Sequence, residues 1–212
     1  MSQMEQDLHQ FSTYFPPIDL SFNQYLLMGD EPALFHTGNA QQASALIPQI
    51  KAVLNGKNLK YIFASHFEAD ECGGLSIVLG SFPGAKTICS EVTARQLSGF
   101  GYNNEIIVKK PGEKLSSSSF ELEFISYPSE MHLWEGLLVI ENHRGIFFSS
   151  DLMIQRGDAG GLWIDSNWKT EITAIRPDQV PDPERLDQLK KNLAQLNPRL
   201  IATGHGPCLR ML

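Results

Sequence analysis

Between Ser65 and Gly74 the chain reads His66-Phe67-Glu68-Ala69-Asp70-Glu71-Cys72-Gly73, so four side chains able to ligate a metal fall within six residues: His66, Glu68, Asp70 and Glu71. A loop with this spacing can wrap a cation, although the same alternation also suits an exposed edge strand with its polar residues on one face. The rest of the chain favours the metal. His132, Asp151 and His205 each follow a strand-like run, directly or across a short loop, and His205 stands between Gly204 and Gly206, where the backbone can approach an ion closely. Three imidazoles and three carboxylates exceed the needs of one tetrahedral ion and match two ions sharing a carboxylate. Two divalent cations bring four positive charges against three negative ones from Glu68, Asp70 and Asp151, so a bridging hydroxide would leave the site neutral. Glu71 as an ionised ligand would add one negative charge more. A nitrogen and oxygen donor set without thiolate suits iron or manganese and is compatible with zinc.

These residues need elements to position them. Leu59 to Ser65 reads as a buried strand that stops at His66. Phe120 to Tyr127 opens with Phe120, Leu122 and Phe124 on one face and Glu121 and Glu123 on the other, and then leads towards His132. Leu137 to Glu141 and Ile146 to Ser150 form a predicted hairpin around Asn142 to Gly145, ending at Asp151, and Leu200 to Thr203 is a short strand before His205. Loops at strand ends carry chemistry on a rigid scaffold. Helices are predicted from Asp182 as N-cap and Pro183 through Leu196, over Ala40 to Leu54 with an interruption at Pro48, and over Gly73 to Leu79 and Glu91 to Ser98. Hairpins mixed with alternating strands and helices favour stacked sheets covered by helices over a purely parallel doubly wound sheet.

Composition narrows the function classes. The chain has 212 residues, with 17 Lys+Arg against 24 Asp+Glu and a net charge of −7, which argues against nucleic acid or an anionic membrane as partner. Apolar residues make up 42% and charged residues 19%, an ordinary globular balance. No apolar run approaches the roughly 18 residues of a membrane span. Residues 1–10 lack both basic residues and an apolar core, so no secretory signal is read and a cytoplasmic location is expected. Cys72, Cys89 and Cys208 are too scattered for a redox pair, a zinc module or a disulfide framework. The segment from Arg156 to Trp168, rich in glycine and tryptophan, is expected to be a lid or a dimer contact, and a homodimer is expected.

The motif His66-x-Glu68-x-Asp70 with His132, Asp151 and His205 resembles the diiron domain of flavodiiron proteins, within the metallo-β-lactamase superfamily. Phe147-Phe148-Ser149-Ser150-Asp151 and Gly204-His205-Gly206-Pro207 match the same family, and the likeness runs from about Ser21 to the end. The resemblance implies an α/β fold, an αββα four-layer sandwich of the metallo-β-lactamase type, as a single diiron domain over 1–212 with 1–20 as an N-terminal extension. It further implies that His66, Glu68 and His132 hold one iron, that Asp70 and His205 hold the other, and that Asp151 bridges them, the irons being joined by an oxide or hydroxide. Zinc hydrolases of the superfamily carry histidine where Glu68 stands, so Glu68 points to the branch that handles O2 or NO. Two positions depart from the pattern. Glu71 stands where the family usually has a histidine, as an extra ligand or a neighbour of the ligands. His36 stands where the superfamily often has aspartate, either as an orienting group or as a packed histidine. No flavodoxin-like domain and no FMN are expected in this chain, so electrons would come from a separate donor, or the site would report O2 to a signalling partner. A binuclear zinc hydrolase is the alternative.

Overall fold

A computed structural model describes residues 1–5, 7–128 and 135–212. The first sheet orders its seven strands as they occur in the chain: β1 (Ser2–Glu5), β2 (Leu8–Phe15), β3 (Leu20–Leu27), β4 (Ala33–Phe35), β5 (Tyr61–Phe63), β6 (Lys86–Cys89) and β7 (Ile106–Val108). The second contains β8 (Lys114–Ser116), β9 (Glu121–Tyr127), β10 (Gly136–Glu141), β11 (Ile146–Ser150), β12 (Trp163–Ser166), β13 (Leu200–Thr203) and β14 (Cys208–Met211), in the order β12-β14-β13-β11-β10-β9-β8. Residues 1–20, read as an extension, supply β1 and β2 at the edge of the first sheet.

Alternation sorts the side chains into three apolar layers. From the first sheet Phe35 and Phe63, and from the second Val139 and Phe148, meet between the sheets, where the Phe35 and Phe148 rings stack at 3.6 Å. Leu34 and Ile62, on the opposite face, pack on α1 (Ala40–Leu54), α3 (Leu75–Ser81) and α4 (Glu91–Gly99). Leu138 and Phe147 pack on the other side beneath α5 (Trp168–Ala174) and α6 (Pro183–Leu193). Helix, sheet, sheet, helix is thus the layer order, the expected αββα sandwich.

Local expectations fared unevenly. Asp182 caps α6 by accepting from the Glu184 and Arg185 amides, with Pro183 at the first helical position. Pro48 does not interrupt α1, which is continuous. Proline deprives the Ser44 carbonyl of its intrahelical partner, but Pro48 and Ser44 both face solvent, so water can take the bond. The edge-strand reading of residues 66–70 is overturned: the chain bends after β5 and enters α2 (Ala69–Cys72). The helix expected over 73–79 starts earlier and breaks at Gly73 and Gly74 before α3. Among the described residues no helix is long and apolar enough to cross a membrane.

The β10–β11 hairpin supports Asp151, and a buried carboxylate fastens its turn. Glu141 is fully buried and accepts from the amides of Glu121 (3.3 Å), His143 (3.0 Å) and Arg144 (2.8 Å), while the Arg144 guanidinium lies 3.5 Å away and reaches Asp7 at 3.0 Å. Glu141→Ala strands these donors and the cation, so a loss of about 3 kcal/mol in urea unfolding is expected. Stability unchanged from the parent would show that the turn holds without its carboxylate.

Candidate metal centre

Parallel pairing gathers the chemistry at one edge. β4 and β5 are parallel neighbours in the first sheet and β11 and β13 in the second, so their C-terminal ends lie side by side. From those ends come His36, His66, Asp151 and His205. Glu68, Asp70 and Glu71 arrive through the bend and first turn of α2.

The ligand atoms converge. His66 Nε2 lies 3.1 Å from Glu68 Oε2, 3.3 Å from Asp151 Oδ2 and 3.8 Å from Glu71 Oε2. His205 Nε2 lies 3.0 Å from Asp151 Oδ1 and 3.5 Å from Asp70 Oδ2. Two groups result, each with ligand atoms within 4.8 Å of one another: His66, Glu68 and Glu71, and Asp70, Glu71, Asp151 and His205. Each group could hold a metal ion. Of the residues read from the sequence, these six are brought together, whereas His132 lies outside the described residues.

Neighbouring groups aim the imidazoles. The Ser21 carbonyl, which can only accept, stands 3.2 Å from His205 Nδ1 and so fixes the proton there, turning Nε2 towards the carboxylates. Phe22 meets the same ring edge-on at 5.0 Å, and Asn23 braces the strand end by donating to the Thr203 and Gly206 carbonyls at 3.0 and 2.7 Å. Ser65 Oγ lies 3.0 Å from His66 Nδ1 and 2.7 Å from Ser150 Oγ, tying the two sheets together behind the ring. Glycine is required beside His205. Gly206 has φ 76°, and a Cβ there would stand 2.1 Å from the Gln155 carbonyl oxygen. Sequence reading missed Ser21, Asn23 and Ser65. Their contacts span long sequence distances and leave no local pattern.

The electrostatics suit a cation. Burial opposes charge on His66, yet hydrogen bonds to the Asp151 and Glu68 carboxylates outweigh it and raise the ring's pKa to about 9. His205 moves upwards too, burial being overcome chiefly by Asp151 and then by Asp70. Glu71 is pushed well above the usual carboxylate range by burial and by the charges of Asp151 and Asp70. Its Oε2 is buried and has no hydrogen-bond partner among the described residues, an acceptor that a cation would satisfy. The donor set of imidazoles and carboxylates therefore fits iron, the metal that the resemblance implies.

His36 has a different environment. It takes φ 64° and its ring lies against Phe63 at 6.2 Å, outside both ligand groups, and among the described residues its Nε2 lacks a hydrogen-bond partner. Burial first, and then the neighbouring His66, lower its pKa to about 3. It is a packed ring beside the two groups. Glu68, Asp70, Asp151 and His205 face a cleft of about 940 Å³ that is also lined by Tyr127 and Arg176.

A two-sheet sandwich with histidines and carboxylates gathered at one strand edge defines the metallo-β-lactamase type of fold. The chain belongs to the ODP family beta lactamase, whose model matches residues 20–206. It is 25% identical over 199 residues to the nitric oxide reductase of Moorella thermoacetica, an alignment that covers 88% of this chain and 49% of that protein. In fold it is similar to the rubredoxin oxygen:oxidoreductase of Desulfovibrio gigas, at TM-score 0.80 and 22% identity, covering 99% of this chain and 57% of that one. The flavodiiron protein of Giardia intestinalis is similar at TM-score 0.74 and 16% identity, over 98% of this chain and 55% of that one. The resemblance to flavodiiron proteins read from the sequence is thereby borne out. The chain spans about a third to a half of the length of the curated relatives it matches.

Proposed function

We propose that the protein is a binuclear non-heme iron protein that binds O2 or NO and reduces it with electrons from a separate donor protein. In this reading His66, Glu68 and His132 would hold one iron, Asp70 and His205 the other, and Asp151 would be shared between them. The observation that carries it is the placement of Asp151, one oxygen 3.3 Å from His66 Nε2 and the other 3.0 Å from His205 Nε2. When bound, the iron pair would supply the redox chemistry, delivering electrons to a diatomic gas. The protein's own groups would do the rest: the Ser21 carbonyl and Ser65 hydroxyl orient the two imidazoles, and the cleft lined by Glu68, Asp70 and Asp151 would admit the gas. Glu68 supports redox chemistry over hydrolysis, because a carboxylate in place of an imidazole adds negative charge and weakens Lewis acidity. The names of two relatives, a nitric oxide reductase and a rubredoxin-oxygen oxidoreductase, support a gas as substrate and a separate electron donor.

The test is anaerobic purification from cells supplied with both iron and zinc, a metal count, and exposure of the reduced protein to O2 while its visible spectrum is recorded. About two irons per chain and a new near-ultraviolet or visible band are expected, a band that decays and returns with each addition of reductant and O2. Zinc in both positions with no spectral response would overturn the reading.

A further inference from the structure

We infer that Glu71 is a second carboxylate spanning both metal positions, alongside Asp151. The inference rests on the binuclear reading and concerns the one residue that, among the described residues, both ligand groups share. Glu71 ligand atoms lie within 4.8 Å of those of His66 and Glu68, and equally of those of Asp70, Asp151 and His205. Its side chain is 2% exposed, and Oε2, 3.8 Å from His66 Nε2, has no hydrogen-bond partner among the described residues. A buried carboxylate oxygen without a partner is costly unless a cation completes it.

The backbone fixes this placement. The Glu71 carbonyl accepts from the Thr37 amide at 2.8 Å and from the Thr37 hydroxyl at 3.3 Å, pinning this turn of α2 to the loop after β4. A histidine here would present one nitrogen at a time to one ion, whereas glutamate offers two oxygens. Charge agrees. Glu68, Asp70, Glu71 and Asp151 bring four negative charges, equal and opposite to two divalent cations, so this donor set balances the ions without a further anion.

The experiment is a Mn(II) titration of chelator-treated, dialysed protein, with free Mn(II) read by electron paramagnetic resonance. The parent chain, Glu71→Gln and Glu71→His are compared, and circular dichroism and melting of each variant check the fold. The parent is expected to take two ions per chain. Glu71→Gln, which keeps the shape and removes the charge, is expected to weaken both stepwise constants, each by about tenfold or more. Glu71→His, which keeps a single donor, is expected to leave one constant within about twofold and lower the other, and it decides the matter if the glutamine variant does not fold. A glutamine or histidine variant that alters neither constant would remove Glu71 from the ligands. A glutamine variant that lowers only one would make it a ligand to one ion. A parent chain that takes fewer than two ions would instead defeat the binuclear reading itself.

Discussion

Asp151→Ala is expected to reduce metal uptake from two ions per chain to one at most. Asp151 is the carboxylate whose oxygens face different imidazoles, Oδ1 towards His205 and Oδ2 towards His66, one ring held by each sheet. Alanine removes a donor from both metal positions together with a charge that offsets the repulsion between two adjacent cations. The sandwich itself should survive. Asp151 follows β11 and faces the cleft, outside the three apolar layers, so far-UV circular dichroism should match the parent. Metal analysis after equilibration with excess Fe(II) under nitrogen checks this. Two ions retained by a folded variant would show that Asp151 is not the shared ligand.

Metal loading is expected to raise the melting temperature by roughly 20 °C over chelator-treated protein. Each ion present at about a thousand times its dissociation constant contributes about 4 kcal/mol to the folded state. For a chain of this length each kcal/mol moves the midpoint by about 2–4 °C. The physical source is the crowding of acidic groups. Glu68, Asp70, Glu71 and Asp151 converge on two imidazoles, so their like charges crowd one another until cations offset them. Unfolding disperses these groups and abolishes the ligand set, so the ions bind the native chain preferentially. Calorimetry with and without excess Mn(II), followed by EDTA, measures the effect and its reversal. A midpoint that moves by less than a few degrees would mean that the cluster does not bind divalent ions strongly.

Much of the site is written in local sequence. His66, Glu68, Asp70 and Glu71 sit in one short loop, and a loop that leaves a buried strand has little freedom to scatter its side chains. Asp151 and His205 were legible for a related reason, since each follows an apolar run too short to be anything but a strand. The second helix of the site was less legible. The same residue types permit a polar-faced edge strand, and only the tight approach of the Gly73 and Gly74 backbone to Ala69 and Gly38 turns the chain into α2 and on into α3. His36 read as an open alternative between an orienting group and a packed ring, because one residue's type says nothing about which side chains meet it. The structure lays it against Phe63.

By itself the sequence determined the donor set, the strand ends that carry it and the apolar alternation that makes two sheets bury one face against each other. Those properties belong to residue type and period, which act over a few positions. Tertiary structure alone decided which atoms share a neighbour: that the two oxygens of Asp151 divide between histidines from different sheets, that the Ser21 carbonyl fixes the proton on His205, and that Glu71 belongs to both ligand groups. Such contacts join residues separated by as much as 184 positions. They exist only once strand pairing and sheet stacking have set the distances, and no local pattern encodes a distance of that kind.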